Sequence, residues 1–169
     1  FGKNALASNT TASGNAAFGT FSANSNTTGT GNAAFGGATP GVTNATLMSN
    51  TTGSYNTAIG IAALAQNTTS SNNTAVGYQA GYSNTTGTRN TVLGKNVYYT
   101  ATTGDDNVAI GEGAMYYNTT GSDNVSVGRS SLVENTTGAF NVAIGMQALT
   151  TNTTASYNTA VGYQAAYST

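Results

Sequence analysis

The sequence predicts an all-β fold, a parallel β-solenoid or β-roll of about ten 17-residue coils. Three observations predict it: a phrase that recurs in strict register, glycine and asparagine at fixed places within it, and a near absence of charge. Aligned on Asn-x-Ala-hydrophobic-Gly, the 169 residues carry glycines at Gly2, Gly19, Gly36, Gly60, Gly77, Gly94, Gly111, Gly128, Gly145 and Gly162, with every interval 17 residues except one of 24. "NTAVGYQAGYSN" from Asn73 and "NTAVGYQAAYST" from Asn158 are therefore one place in two coils, five steps apart. A fixed period is the mark of stacked repeats. Disorder, which a polar and weakly charged composition would otherwise allow, requires no register. Residues 1–169 read as a single array, interrupted by an insertion at about 37–43.

The coil follows in order. Four residues before the glycine stands an invariant asparagine, giving a ladder of Asn56, Asn73, Asn90, Asn107, Asn124, Asn141 and Asn158, with Asn15 and Asn32 below. Stacked amides bond along the axis of such a stack and satisfy turn backbone. Next comes a short strand ending in an aliphatic or aromatic residue before the glycine. Seventeen residues are too few for two helices and a turn, and Gly, Asn and Thr are poor helix formers. Two strands of about four to six residues with two Gly/Asn-rich turns fit, the second strand carrying Ala63, Ala80, Ala114 and Ala148. Asn-Thr-Thr-Gly, as at Asn84 to Gly87, Asn118 to Gly121 and Asn135 to Gly138, supplies the closing turn. Stacked at about 4.8 Å, ten coils make a rod about 45–50 Å long.

Alanines Ala58, Ala75, Ala109 and Ala160 suit a narrow lumen. Alternation along the strand then turns Ile59, Val76, Leu93, Ile110, Val127, Ile144 and Val161, with Phe1, Phe18 and Phe35 below them, to the opposite face. Ten such rows exceed the apolar patch of a few hundred Å² that a soluble monomer exposes. The expected arrangement is a homotrimer with this ladder as its shared core; a wider roll enclosing the ladder is the alternative.

"NTAVGYQA" and "NVAIGMQA" resemble the head repeats of trimeric autotransporter adhesins, whose motif runs Ser-Val-Ala-Ile-Gly-x-x-Ser/Ala, and with "NTTGSYNTA" the phrase looks still more like the repeats of bacteriophage tail fibres. The resemblance covers the whole chain, although the period of 17 departs from the shorter adhesin repeat. It implies a left-handed parallel β-roll in homotrimeric fibres. The phrase is already under way at Phe1 and stops in mid-repeat at Thr169, so a window on a longer array is expected.

Composition excludes several functions. Four basic and five acidic side chains leave no footprint for nucleic acid or anionic membrane. No apolar run approaches the roughly eighteen residues of a membrane span, so no membrane insertion is expected in this segment. Without Cys or His there is no disulfide, zinc site or Ser-His or Cys-His nucleophile. Glu112 and Glu134 occupy different repeat positions and make no acid/base pair, so no enzyme activity and no cofactor are expected. Asp105, Asp106 and Asp123 offer oxygen ligands for calcium, but with Arg89 in the same rows a solvated ladder is preferred. The charges support the register: Lys95, Glu112 and Arg129 share one position, and Arg89, Asp106 and Asp123 another.

Candidate ligand-binding features are few. The insertion holds the sole proline, Pro40, and insertions in repeat proteins emerge on one face. Tyr82, Tyr99 and Tyr116 fall in one row, with Tyr98 and Tyr117 beside them. Such rings meet the apolar face of a sugar while the hydroxyl stays wet, and equally line a subunit interface. Asn9, Asn26, Asn50, Asn67, Asn84, Asn118, Asn135 and Asn152 also form glycosylation sequons, although turn chemistry already accounts for the motif. The functional expectation is a structural fibre segment, extracellular on a cell surface or virion, presenting a cell-surface glycan or receptor-binding surface. The alternative is an ice-binding solenoid, suggested by two threonine rows: Thr51, Thr68, Thr85 and Thr102, beside Thr52, Thr69, Thr86 and Thr103.

Overall fold

The computed structural model describes residues 2–38 and 44–168. Most of the insertion, Pro40 included, lies outside the described residues. Nine three-residue strands, β1 Ala16–Phe18, β2 Ala33–Phe35, β3 Thr57–Ile59, β4 Thr74–Val76, β5 Thr91–Leu93, β6 Val108–Ile110, β7 Val125–Val127, β8 Val142–Ile144 and β9 Thr159–Val161, form one sheet in chain order. Every neighbouring pair is parallel and in repeat register, as Thr74↔Thr91, Ala75↔Val92 and Val76↔Leu93 show. The 24-residue interval leaves this intact, since Ala34 still faces Ala58. The result is a β-solenoid of about eight turns, with no helix among the described residues.

The middle residue of each strand points inward and the two outer ones point out. Ala34, Ala58, Ala75, Ala109 and Ala143 are fully buried, as the narrow lumen requires. The phase glycine then turns the chain. Gly77 sits at φ 135°, which only glycine adopts readily, and a Cβ there would lie 2.3 Å from the Gly94 carbonyl oxygen of the next coil. Both the turn and the stacking distance exclude a side chain.

The second strand expected in each coil is absent. Two successive turns replace it, closed by Ala63 N–H donating to Gly60 O at 3.2 Å and Asn67 N–H to Leu64 O at 3.1 Å. Alternate residues take the left-handed conformation, Ala62 at φ 59° and Leu64 at φ 49°, and the pattern repeats at Ser130 and Leu132 and at Gln147 and Leu149. The cost is on the order of 1 kcal/mol per residue. A strand would bury only one of two adjacent residues, whereas this arc buries both Ala63 and Leu64, and a buried leucine contributes about 1.5–3 kcal/mol. Backbone bonding between coils also survives, because Leu64 N–H still donates to Ala80 O and Gln66 N–H to Tyr82 O. Ala63, Ala80, Ala114 and Ala148 are fully buried, but on this arc and not on a strand, and the large core residues stand in the next row of the repeat: Leu47, Leu64, Tyr98, Met115, Leu132 and Leu149.

Two asparagine ladders fasten the stack. In the first, Asn73 Oδ1 accepts the Asn90 backbone N–H at 2.9 Å while its Nδ2 donates to Gly87 O at 2.9 Å, and the bonding recurs from Asn15 to Asn158. The second, not anticipated from sequence, is made by the asparagine of Asn-Thr-Thr. Asn67 Nδ2 donates to Asn50 Oδ1 at 2.7 Å and to Ser70 O at 3.2 Å, closing its own turn and binding the coil below. One rung differs. Ala101 stands where the asparagine belongs, and Asn84 Oδ1 below it is buried without a hydrogen-bond partner. The buried Tyr98 hydroxyl fills the place instead, donating to Gly104 O at 3.1 Å and accepting from Asn107 Nδ2 at 2.8 Å.

Candidate functional site

Three surfaces present side chains to solvent. The first is the outward face of the nine-stranded sheet. Its two rows, the first and last residues of each strand, are Ala, Thr or Val and Phe, Ile, Leu or Val, and no charge falls in either. Ile59 is 41% exposed, Leu93 44% and Ile144 40%, so the ladder lies outside the coil and the wider roll enclosing it is ruled out. At its lower end Phe18 and Phe35 stack with ring centroids 4.9 Å apart.

The second surface is the arc after the phase glycine. Tyr82, Tyr99 and Tyr116 stack in register at 5.1 Å with interplanar angles of 9° and 16°. Tyr98 does not join them; its side chain turns into the core. Burial pushes the Tyr98 hydroxyl well above the usual tyrosine range, against the opposing effect of the Asn118 and Asn107 amides. Tyr99 is raised more weakly, first by partial burial and then by the flanking tyrosines. Tyr117 is exposed and meets Tyr116 edge-on, centroids 4.7 Å apart at 70°. In the row next to the glycine Lys95 pairs with Glu112 at 3.3 Å, while Arg129 reaches the Met146 sulfur and no carboxylate among the described residues.

The third surface is the closing turn. Its first threonine row is half-buried and donates its hydroxyls to backbone of the next coil, Thr68 Oγ1 to Thr85 O at 3.1 Å. The second row, through Thr28, Thr52, Thr69, Thr86, Thr103, Thr120 and Thr137, is exposed. At the adjoining corner Arg89 holds Asp106 through two bonds of 2.7 Å, and the hydrogen bond from Arg89 keeps the Asp106 carboxyl below its ordinary range. Asp105 instead accepts from Thr88, through backbone N–H at 2.6 Å and hydroxyl at 2.8 Å. Asp123 lies one coil above Asp106, and the described residues bring no three carboxylates together as a metal site. Higher in Arg89's row Phe140 and Tyr157 stack at 5.0 Å, an exposed pair that sequence inspection passed over.

The sequon asparagines lie on the inner side of this turn. Asn26, Asn50, Asn67, Asn84, Asn118, Asn135 and Asn152 are buried, with amides committed to the second ladder, and only Asn9 is exposed. A glycan on any buried one would require opening its coil. No helix among the described residues is long and apolar enough to cross a membrane. Compared with known protein families, curated proteins and solved structures, the chain matches none.

Proposed function

We propose that the chain is a structural fibre segment, acting outside the cell or on a virion. Copies associate through the outward sheet face, three in number by the repeat resemblance, and the aromatic arc is left as the receptor-facing surface. The observation that carries this reading is the uncharged, two-row sheet face: nine parallel strands present one apolar ladder without a single Lys, Arg, Asp or Glu. A second copy of the same chain meets it with an identical period, so every row finds a row. Rigid extension is then the mechanical role, and several chains in parallel give avidity to any surface site.

Mass measurement by light scattering tests the proposal. A trimer mass is expected, and Ile110→Asp with Ile144→Asp should dissociate or aggregate it, because each carboxylate buried without a partner costs several kcal/mol. A folded monomer in the parent would refute self-association while leaving the solenoid intact. A second reading, ice binding, is favoured by the exposed threonine row on the closing turn. Its test is the habit of ice crystals grown with the protein present, and unaltered growth removes it.

A further inference from the structure

One place on the aromatic arc departs from its neighbours in several ways at once. Gly113 occupies the second position after the phase glycine, where other coils carry a side chain, apolar at Phe21 and Ala62 and polar at Gln79, Asn96, Gln147 and Gln164. Higher in that row one amide pair bonds between coils, Gln164 Nε2 donating to Gln147 Oε1 at 3.0 Å. Below Gly113, Asn96 Oδ1 is buried with no hydrogen-bond partner. Above Tyr116 the tyrosine stack stops, because Val133 takes the next place. A groove of about 360 Å³ opens between these residues. Tyr116, Tyr117, Glu112 and Arg129 are among its lining residues.

The chemistry of this lining is specific. Two phenol rings at 70° make a corner with apolar faces and hydroxyl tips. Glu112 supplies acceptors, and Arg129 supplies donors that no carboxylate among the described residues occupies. Adjacent hydroxyls on a ring are matched by a carboxylate beside a guanidinium, and the apolar face of that ring by an aromatic side chain. The volume lies at the low end of the range of about 300–1,000 Å³ for small-molecule sites.

The geometry points to a binding subsite for one neutral hexopyranosyl residue of a glycan, its ring against Tyr116 and Tyr117 and its hydroxyls between Glu112 and Arg129. This rests on the reading of the arc as the receptor-facing surface and gives that surface a location and a ligand class. The charges of Glu112 and Arg129 balance in the lining, so nothing there selects an acidic sugar over a neutral one.

Saturation-transfer NMR on the whole chain tests it, with methyl glycosides of glucose, galactose, mannose and N-acetylglucosamine and a methyl glucuronide as probes. Transfer to the ring protons of at least one neutral glycoside is expected. Gly113→Gln fills the groove with a side chain that the repeat already tolerates at this position, at φ 54° in Gln79 against 66° in Gly113. It should weaken binding about tenfold, as should Tyr117→Ala, the size expected from one lost ring contact. Tyr157→Ala, an exposed ring elsewhere, should leave it unchanged. No transfer to any neutral glycoside at millimolar concentration, transfer that survives Gly113→Gln, or transfer to the glucuronide alone would each overturn the proposal. Light scattering on the same sample separates the two readings: a trimer that binds no sugar removes the subsite alone, and a monomer that binds one removes the assembly alone.

Discussion

Exchanging Tyr98 and Ala101 for the residues their rows normally carry gives the most stringent test of the ladder argument. The Tyr98 hydroxyl does the work of the missing asparagine amide, since it donates to Gly104 O as Asn84 and Asn118 donate to Gly87 O and Gly121 O. Tyr98→Leu removes two buried hydrogen bonds of about 1 kcal/mol each and leaves a cavity, a loss of about 2–4 kcal/mol. Ala101→Asn alone forces an amide into space the phenol occupies, costing about 1–3 kcal/mol. Together they rebuild the repeat. Leucine already sits in this row at Leu64, Leu132 and Leu149, and the new amide would donate to Gly104 O and to the orphan Asn84 Oδ1 while accepting from Asn118. The double variant should therefore equal or exceed the parent, a coupling of about 3 kcal/mol or more. In thermal unfolding, at about 2–4 °C per kcal/mol for a chain of this length, Tyr98→Leu should lose about 5–15 °C and the double variant should regain it. Repeat arrays need not unfold in one step, so amide exchange in the coils of Asn84 and Asn118 is the second readout. If the two losses simply add to within about 0.5 kcal/mol, the hydroxyl is not a substitute for the amide and the reasoning fails.

Other outcomes follow from the same contacts. Ser126 and Ser131 replace two core alanines and bond each other at 2.5 Å, so Ser126→Ala with Ser131→Ala should be neutral or stabilising by about 1 kcal/mol in urea unfolding. Asn124→Ala removes the acceptor for Asn141 N–H and the donor to Gly138 O, and should destabilise by about 2–4 kcal/mol in the same assay. Tyr98 has its folded pKa raised above the unfolded value of 10.0, so its contribution is fully present below about pH 10 and is lost as pH rises toward the folded value. Alkaline difference absorbance should show its ionisation delayed behind the exposed tyrosines and coincident with unfolding. Asp106 has a lowered pKa, so its pairing with Arg89 holds above the ordinary carboxylate range and is lost as pH falls through the depressed value, visible in the NMR titration of its carboxyl.

Periodicity made the fold legible because every coil meets a copy of itself. Register, parallel pairing, the inward alanines, the outward Ile/Val/Phe row and the first asparagine ladder all follow from identical neighbours about 4.8 Å apart. What periodicity does not encode is the path of the backbone between fixed points. "IAALAQ" is a short apolar run that reads as a strand, and nothing in it announces that Ala62 and Leu64 adopt left-handed conformations, since both are ordinary L-residues. A signal did exist: adjacent apolar residues Ala63 and Leu64 cannot both face inward from a strand. The second asparagine ladder was concealed by a motif with a simpler explanation, because Asn-Thr-Thr-Gly is good turn chemistry whether or not its amide is buried. Arg129 shares a row with Glu112 yet bonds Met146, since a row specifies which residues are neighbours and leaves long side chains to choose between the coil above and the coil below.

Departures from the repeat divide into two kinds, and the division bears on where function resides. Inside the stack some come in compensating sets, Tyr98 with Ala101 and Ser126 with Ser131, and single hydroxyls such as Ser22 and Thr46 find a carbonyl of the existing backbone. A buried rung touches rungs above and below, so a lone change that finds no such partner leaves an unmet polar group or a void. Outside, the row after the phase glycine runs Ile61, Tyr78, Lys95, Glu112, Arg129, Met146 and Tyr163 without any such pairing rule beyond Lys95 with Glu112. Variation there is tolerated because water satisfies what neighbours do not. A stacked rod can thus differ freely from coil to coil on its exposed rows, and specificity for a ligand requires such differences. The groove that Gly113 leaves on the exposed arc is a difference of this kind, and the response of sugar binding to Gly113→Gln separates a built site from a neutral defect.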